Sequence, residues 1–114
     1  MSEAVEALVG AWYAEHPEIE SVFWFGSWVT GKPSPRSDVD LCIVVNRSDE
    51  LRHERIVHFL PLEFPTGLDL VVYTSDEFDA LGSDLPAWAA AIRSGRVISR
   101  DDVLVAATTE ETAA

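Results

Sequence analysis

Three short apolar runs constrain this chain more than any other feature. They are Val-Phe-Trp-Phe at 22–25, Leu-Cys-Ile-Val-Val at 41–45 and Leu-Val-Val-Tyr at 70–73. Each is too short for a buried helix and lacks the polar alternation of a half-exposed strand. Such runs read as strands buried on both faces, which requires a sheet with other elements packed on it. Strands are therefore expected over 20–25, 39–45 and 68–74.

Helical patterns fall between these runs. Val5, Leu8, Val9, Trp12 and Tyr13 form an apolar stripe over 2–15, with Ser2 as the expected cap and Glu3 and Glu6 facing the positive end of the helix dipole. A short helix is expected from 27 to 32, stopped by Pro33 and Pro35. Another is expected from about 49 to 60 after Ser48, one over 76–81 capped by Ser75, and one over 85–94. In the last, Leu85, Trp88 and Ile92 share a face and Gly95 terminates the helix. Val97 and Ile98 add a short strand. The result is an α+β domain in two layers, a small mixed sheet packed with helices. It is expected to span 1–100, with 101–114 as a flexible tail.

The chain carries 20 acidic and 8 basic residues, a net charge of −12. That balance argues against a protein that grips nucleic acid by its phosphates, so no stable nucleic-acid binding is expected. A lone cysteine, Cys42, rules out an internal disulfide and points to a reducing compartment. No signal-peptide pattern opens the chain and no apolar run approaches a bilayer span, so a cytoplasmic protein without membrane attachment is expected.

The chemistry is concentrated in GSWVTGKPSPRSDVDLCIVV, residues 26–45. Asp38 and Asp40 are two apart at the start of a strand, so they project from one face. Two like charges beside an apolar strand repel each other, and a cation would remove that cost. Oxygen ligands favour Mg2+ or Mn2+ over zinc. Asp69 opens the third strand in the same way, followed by Leu70-Val71-Val72 as Asp40 is followed by Leu41-Cys42-Ile43. If the second and third strands are neighbours, the three carboxylates meet. Gly26-Ser27 ends the first strand, where backbone N–H groups and the hydroxyl suit a phosphate. Taken singly, each feature has an ordinary explanation as a turn or a surface charge. The combination carries the weight.

That combination resembles the G-S…S-D-x-D…D signature of the DNA polymerase β-like nucleotidyltransferase superfamily. The match runs from Gly26-Ser27 through Ser37-Asp38-Val39-Asp40 to Asp69, and its short length is similar to that of the minimal nucleotidyltransferases. The resemblance implies the nucleotidyltransferase fold. It implies that Gly26, Ser27 and Ser37 hold a nucleoside triphosphate, with ATP expected. Asp38, Asp40 and Asp69 would hold the divalent ions, and Asp69 would help deprotonate an acceptor hydroxyl. The reaction would be attack on the α-phosphate with release of pyrophosphate. Many minimal members carry arginines where this chain has Trp28-Val29-Thr30, and Lys32 and Arg36 are the expected substitutes.

The resemblance also implies a partner, since minimal nucleotidyltransferases are often paired with a small HEPN-domain protein in toxin–antitoxin systems. Transfer to a small molecule, as in aminoglycoside nucleotidyltransferases, with a homodimer completing the pocket, is the alternative within catalysis. A non-catalytic module that covers its partner is the alternative outside it. Other polar and aromatic residues are not promoted. Cys42 is expected in the core, as are Trp12 and Trp88. Trp28 is expected to pack beneath its loop. His16, His53 and His58 lack metal-ligand spacing, and Glu63 fits a solvated loop.

Overall fold

The structure is a computed structural model that describes residues 1–30 and 38–103. The elements follow the order α1 (Ser2–Glu15), β1 (Ile19–Phe25), α2 (Ser27–Thr30), β2 (Val39–Val45), α3 (Arg52–Arg55), a 3₁₀ turn (Ile56–His58), β3 (Leu68–Thr74), α4 (Ser75–Asp84), α5 (Pro86–Arg93) and β4 (Arg96–Ile98). Residues 100–103 are helical again.

The sheet has the order β3-β2-β1-β4. β1 runs antiparallel to both β2 and β4, whereas β2 and β3 are parallel. A parallel neighbour requires a crossover, and residues 46–67 supply it. The expected α+β class with a mixed sheet holds. Helices, however, cover both faces of the sheet rather than one. On the first face, Val5, Val9, Trp12 and Tyr13 of α1 pack with Val22, Trp24, Leu41, Ile43 and Val72. On the second, Phe78 and Leu81 of α4 and Ala89 and Ile92 of α5 pack on Phe25, Cys42, Val44 and Tyr73. Strands with apolar residues at successive positions need this double cover.

Long-range hydrogen bonds tie α1 to the crossover and to the sheet. Trp12 Nε1 donates to the Phe59 carbonyl at 2.9 Å, and Tyr13 Oη donates to the Ile98 carbonyl at 2.6 Å. The Arg100 guanidinium lies over the Tyr13 ring and donates to the carbonyls of Tyr13, His16 and Ile19. It thus satisfies chain ends that the helix leaves open.

Several local expectations change. Met1, not Ser2, occupies the N-cap position of α1, and no side chain caps it. The helix expected over 49–60 shrinks to α3 and the 3₁₀ turn, because apolar periodicity there is weak and Leu51, Val57 and Leu60 remain exposed. Ser48 accepts a hydrogen bond from the Glu50 amide in a local turn. Helix α4 begins at Ser75, and its cap is Thr74: Thr74 Oγ1 accepts from the Glu77 amide while Glu77 Oε1 accepts from the Thr74 amide. That reciprocal pair satisfies two backbone donors. On α5 the buried face is Ala89 and Ile92, with Leu85 53% and Trp88 36% exposed. Ser99 and Asp102 exchange hydrogen bonds at the start of the helical residues 100–103. Residues 104–114 lie outside the described residues.

Candidate active site

The parallel pairing of β2 with β3 decides what the carboxylates can do. The register sets Asp40 directly opposite Asp69 and Leu41 opposite Leu70. In-register partners on parallel strands project from the same face about 4.8 Å apart. Asp40 and Asp69 therefore share the face of Cys42, Val44 and Tyr73, at the edge where the α4–α5 layer stops. Asp38 stands one residue before β2, exposed. Its neighbour Val39 donates to the Gly67 carbonyl at 2.9 Å, which locks the starts of the two strands together.

The electrostatics report this convergence. The Asp40 carboxyl is held above its ordinary value of 3.8, first by burial, then by the Asp69 charge and a hydrogen bond to Asp69, and lastly by the Asp38 charge. Burial and a neighbouring anion both disfavour the ionised form.

Glycines make room for the carboxylates. Gly26 has φ +85°, a conformation that side chains rarely tolerate, and this turns the chain sharply out of β1. A Cβ there would collide with Asp40 Oδ2. Gly67 stands in the same relation to Asp38 Oδ1. Ser27, half-buried, opens α2 directly after the turn, and Val29 N donates to the Gly26 carbonyl at 3.1 Å. The Gly26-Ser27 turn is thus next to Asp40, and Phe25 is in register with Asp40 across β1 and β2.

Among the described residues, no three His, Cys, Asp or Glu side chains gather as a ready metal cage. The expected trio is a contacting pair, Asp40 and Asp69, with Asp38 at its margin, because Asp38 precedes the strand and leans on Gly67. This donor set still fits Mg2+, which is commonly held by one or two carboxylates together with substrate phosphates. Ser37, Lys32, Arg36 and Gly31 lie outside the described residues.

The geometry agrees with a relationship seen across the chain. The model of the polymerase β nucleotidyltransferase family matches residues 11–102. The chain belongs to this family. A crystal structure from Sulfolobus solfataricus, provisionally assigned as a nucleotidyltransferase, has the same fold: TM-score 0.55, 24% identity, covering 69% of this chain and 71% of the other. No curated protein is a significant match. For a nucleotidyltransferase-family chain, paired carboxylates on adjacent strands beside a Gly-Ser turn are a coherent set.

A cleft of about 390 Å³ opens beside Asp40. Phe25 and Val29 line it from one side, Trp88 and Ala91 of α5 from the other, and Ser94 and Gly95 close its end. The Trp88 indole is fixed in orientation: Nε1 donates to Tyr73 Oη at 3.0 Å, and the ring meets Phe25 edge-on at 5.4 Å and 87°. Gly95 permits the closure, since a Cβ there would strike the Trp24 carbonyl oxygen and Phe25. Trp88, expected in the core, is instead a wall of this cleft. An exposed residue at helical spacing next to a buried one cannot be told apart by periodicity.

The unpromoted residues fall mostly where expected. Cys42 is fully buried, and burial pushes its thiol up to about 12, so it is no nucleophile. Trp12 is buried, and Trp28 packs against the core cluster. His16 pairs with Glu18 at 3.3 Å and His58 with Glu50 at 2.8 Å, while His53 and Glu63 are exposed. The sequence reading missed Arg55, which is 6% exposed. Its guanidinium donates to the Glu50 and Val72 carbonyls and to Glu77 Oε1 at 2.6 Å. It clamps the crossover to β3 and α4 at the end of the sheet away from Asp40. Arg55 ends the charged run Arg52-His53-Glu54-Arg55, which reads as a solvated face and has no distinctive spacing.

Proposed function

We propose that this chain transfers a nucleoside monophosphate, AMP from ATP, to a hydroxyl acceptor and releases pyrophosphate. The observation that carries this reading is the in-register pair Asp40–Asp69 beside the Gly26-Ser27 turn. Asp38, Asp40 and Asp69 would hold Mg2+ or Mn2+. Such an ion, when bound, offsets negative charge on the triphosphate and on the leaving pyrophosphate. Gly26 and Ser27 receive phosphate oxygens, with Ser37, Lys32 and Arg36 expected to assist. The acceptor oxygen attacks the α-phosphorus, the bond from that phosphorus to the bridging oxygen breaks, and pyrophosphate leaves. In this reading Asp69, exposed at the strand start, takes the acceptor proton.

The acceptor is a protein in this reading, and the partner class is a small HEPN-domain protein. Support comes from the crossover, where Leu51, Val57, Leu60 and Leu62 are exposed at 62%, 65%, 54% and 105%. Exposed apolar side chains in one segment favour a protein surface over a small molecule. The test is incubation with Mg2+ and α-phosphate-labelled nucleotides in lysate of the source cells, with Asp40→Asn as the control. Label on one protein, absent with the variant, is expected. Label on a small molecule would replace the protein acceptor, and no label from any nucleotide would leave a non-catalytic binding module.

A further inference from the structure

The cleft between α2 and α5 touches the site above only at Asp40 and Gly26; the rest of its lining has no role in that chemistry and is selective. Its walls are apolar: Phe25, Val29, Trp88 and Ala91. Among the described residues no Lys or Arg lines it, and these walls suit an apolar group better than a phosphate. Its volume of about 390 Å³ falls in the range of small-ligand sites, roughly 300–1,000 Å³. One end is Asp40 and Gly26, where the phosphates and the reacting centre would be. The other end is Ser94 Oγ, whose proton is given to the Ala91 carbonyl at 3.0 Å, so it presents acceptor lone pairs. Trp88 is half-open to solvent yet locked by Tyr73 and Phe25. An aromatic wall held rigid from behind loses little freedom when a flat group lies on it.

We infer that this cleft is the seat of the nucleobase, with Trp88 as its stacking wall. The inference rests on the nucleotidyl-transfer reading and names where its substrate is held. A base is tethered to the phosphates, and the cleft adjoins the turn that would receive them. It is flat, largely apolar and uncharged, as the lining demands. Trp88 is a binding residue in this account and takes no part in bond making.

The test is equilibrium binding to the full chain in Mg2+, with two probes: ATP, and inorganic tripolyphosphate, which has no base. Two variants probe the cleft. Trp88→Ala removes the wall, and Ala91→Leu fills the cleft from an exposed helix position. Base–aromatic stacking predicts that Trp88→Ala weakens ATP about 5- to 100-fold. Ala91→Leu weakens ATP as well. Both leave tripolyphosphate within about twofold, which also reports that the phosphate end is still folded. Unchanged ATP affinity in both variants would overturn the seat while leaving nucleotidyl transfer standing. Equal loss of both probes in Ala91→Leu would also overturn it. Failure of the wild-type chain to bind either probe would remove the nucleotidyl-transfer reading itself, and the seat with it.

Discussion

Asp40→Asn should make the protein more stable without metal and less stable than wild type with it. Asp40 and Asp69 are in-register neighbours on strands about 5 Å apart, a spacing that gives a lower bound on their repulsion. Coulomb's law gives roughly 1 kcal/mol of repulsion at that distance in water and about 3 kcal/mol at an effective dielectric of 20. Asp69 is exposed and Asp40 partly buried, which places the pair near the lower end, about 1–2 kcal/mol. Asn keeps the shape and can donate to Asp69. In chelator at neutral pH the variant should melt roughly 4–12 °C higher, at about 4–6 °C per kcal/mol for a domain of this size. The sign with pH follows from the raised Asp40 carboxyl. Its favourable contribution is fully present below 3.8 and is lost as pH rises through its folded value. The advantage of the variant is therefore largest at neutral pH and closes as pH falls toward the ordinary carboxylate range. Mg2+ at about a hundredfold excess over its Kd would stabilise wild type by about 2.7 kcal/mol, and the variant by far less. Thermal unfolding by circular dichroism, with chelator and with Mg2+, reads both. A variant that melts below wild type in chelator would refute the repulsion argument. Equal gains from Mg2+ in both proteins would refute the assignment of Asp40 as a ligand.

Two other perturbations are tied to particular contacts. The Glu77 carboxyl is held below its ordinary value chiefly by the hydrogen bond from Arg55, so its contribution is present above 4.5 and lost as pH falls through the folded value. Glu77→Gln should flatten the acid limb of the stability curve below about pH 5, measured by urea unfolding across pH. Gly95→Ala and Gly67→Ala should behave oppositely. The first drives a Cβ into the backbone of β1 and should cost about 1–3 kcal/mol. The second meets only the end of the Asp38 side chain, which can swing aside. It should leave stability within about 0.5 kcal/mol while lowering transfer activity, so unfolding and activity assays on the two variants separate them.

How much was legible depends on whether a signal was local. The bounds of β2 and β3 match the expected 39–45 and 68–74 because each strand is an unbroken apolar run led by an Asp. The meeting of Asp40 with Asp69 required one added assumption, that the strands are neighbours, and the parallel register supplies it. What failed was face assignment on short helices. At α5 and its N-cap, Leu85, Trp88, Ala89 and Ile92 all fit a helical stripe, and only packing against Phe25, Cys42 and Val44 selects Ala89 and Ile92 as the buried pair. The cleft was invisible for the same reason, being made by Trp88 and Ala91 of one element facing Phe25 and Val29 of two others. Arg55 was equally opaque, since its partners are carbonyls and a carboxylate up to 22 positions away.

The replacement of arginines by Trp28-Val29-Thr30 bears on how such a site can hold a polyanion at all. The chain has a net charge of −12, and among the described residues no Lys or Arg lines the cleft beside Asp40. Long-range electrostatics therefore oppose nucleotide approach. In the nucleotidyl-transfer reading, affinity would come mainly from a divalent ion held by Asp38, Asp40 and Asp69 and from apolar contact with the base, both short-range. A site built on cationic side chains weakens as salt rises, because its attraction is screened. Here salt screens a repulsion instead. Mg2+-nucleotide affinity should stay flat or strengthen between about 0.05 M and about 0.3 M salt, as the Debye length shrinks below about 10 Å. Titration calorimetry at several salt concentrations measures this. A steep loss of affinity with salt would mean that Lys32 and Arg36 dominate phosphate binding, and that the apolar cleft contributes little.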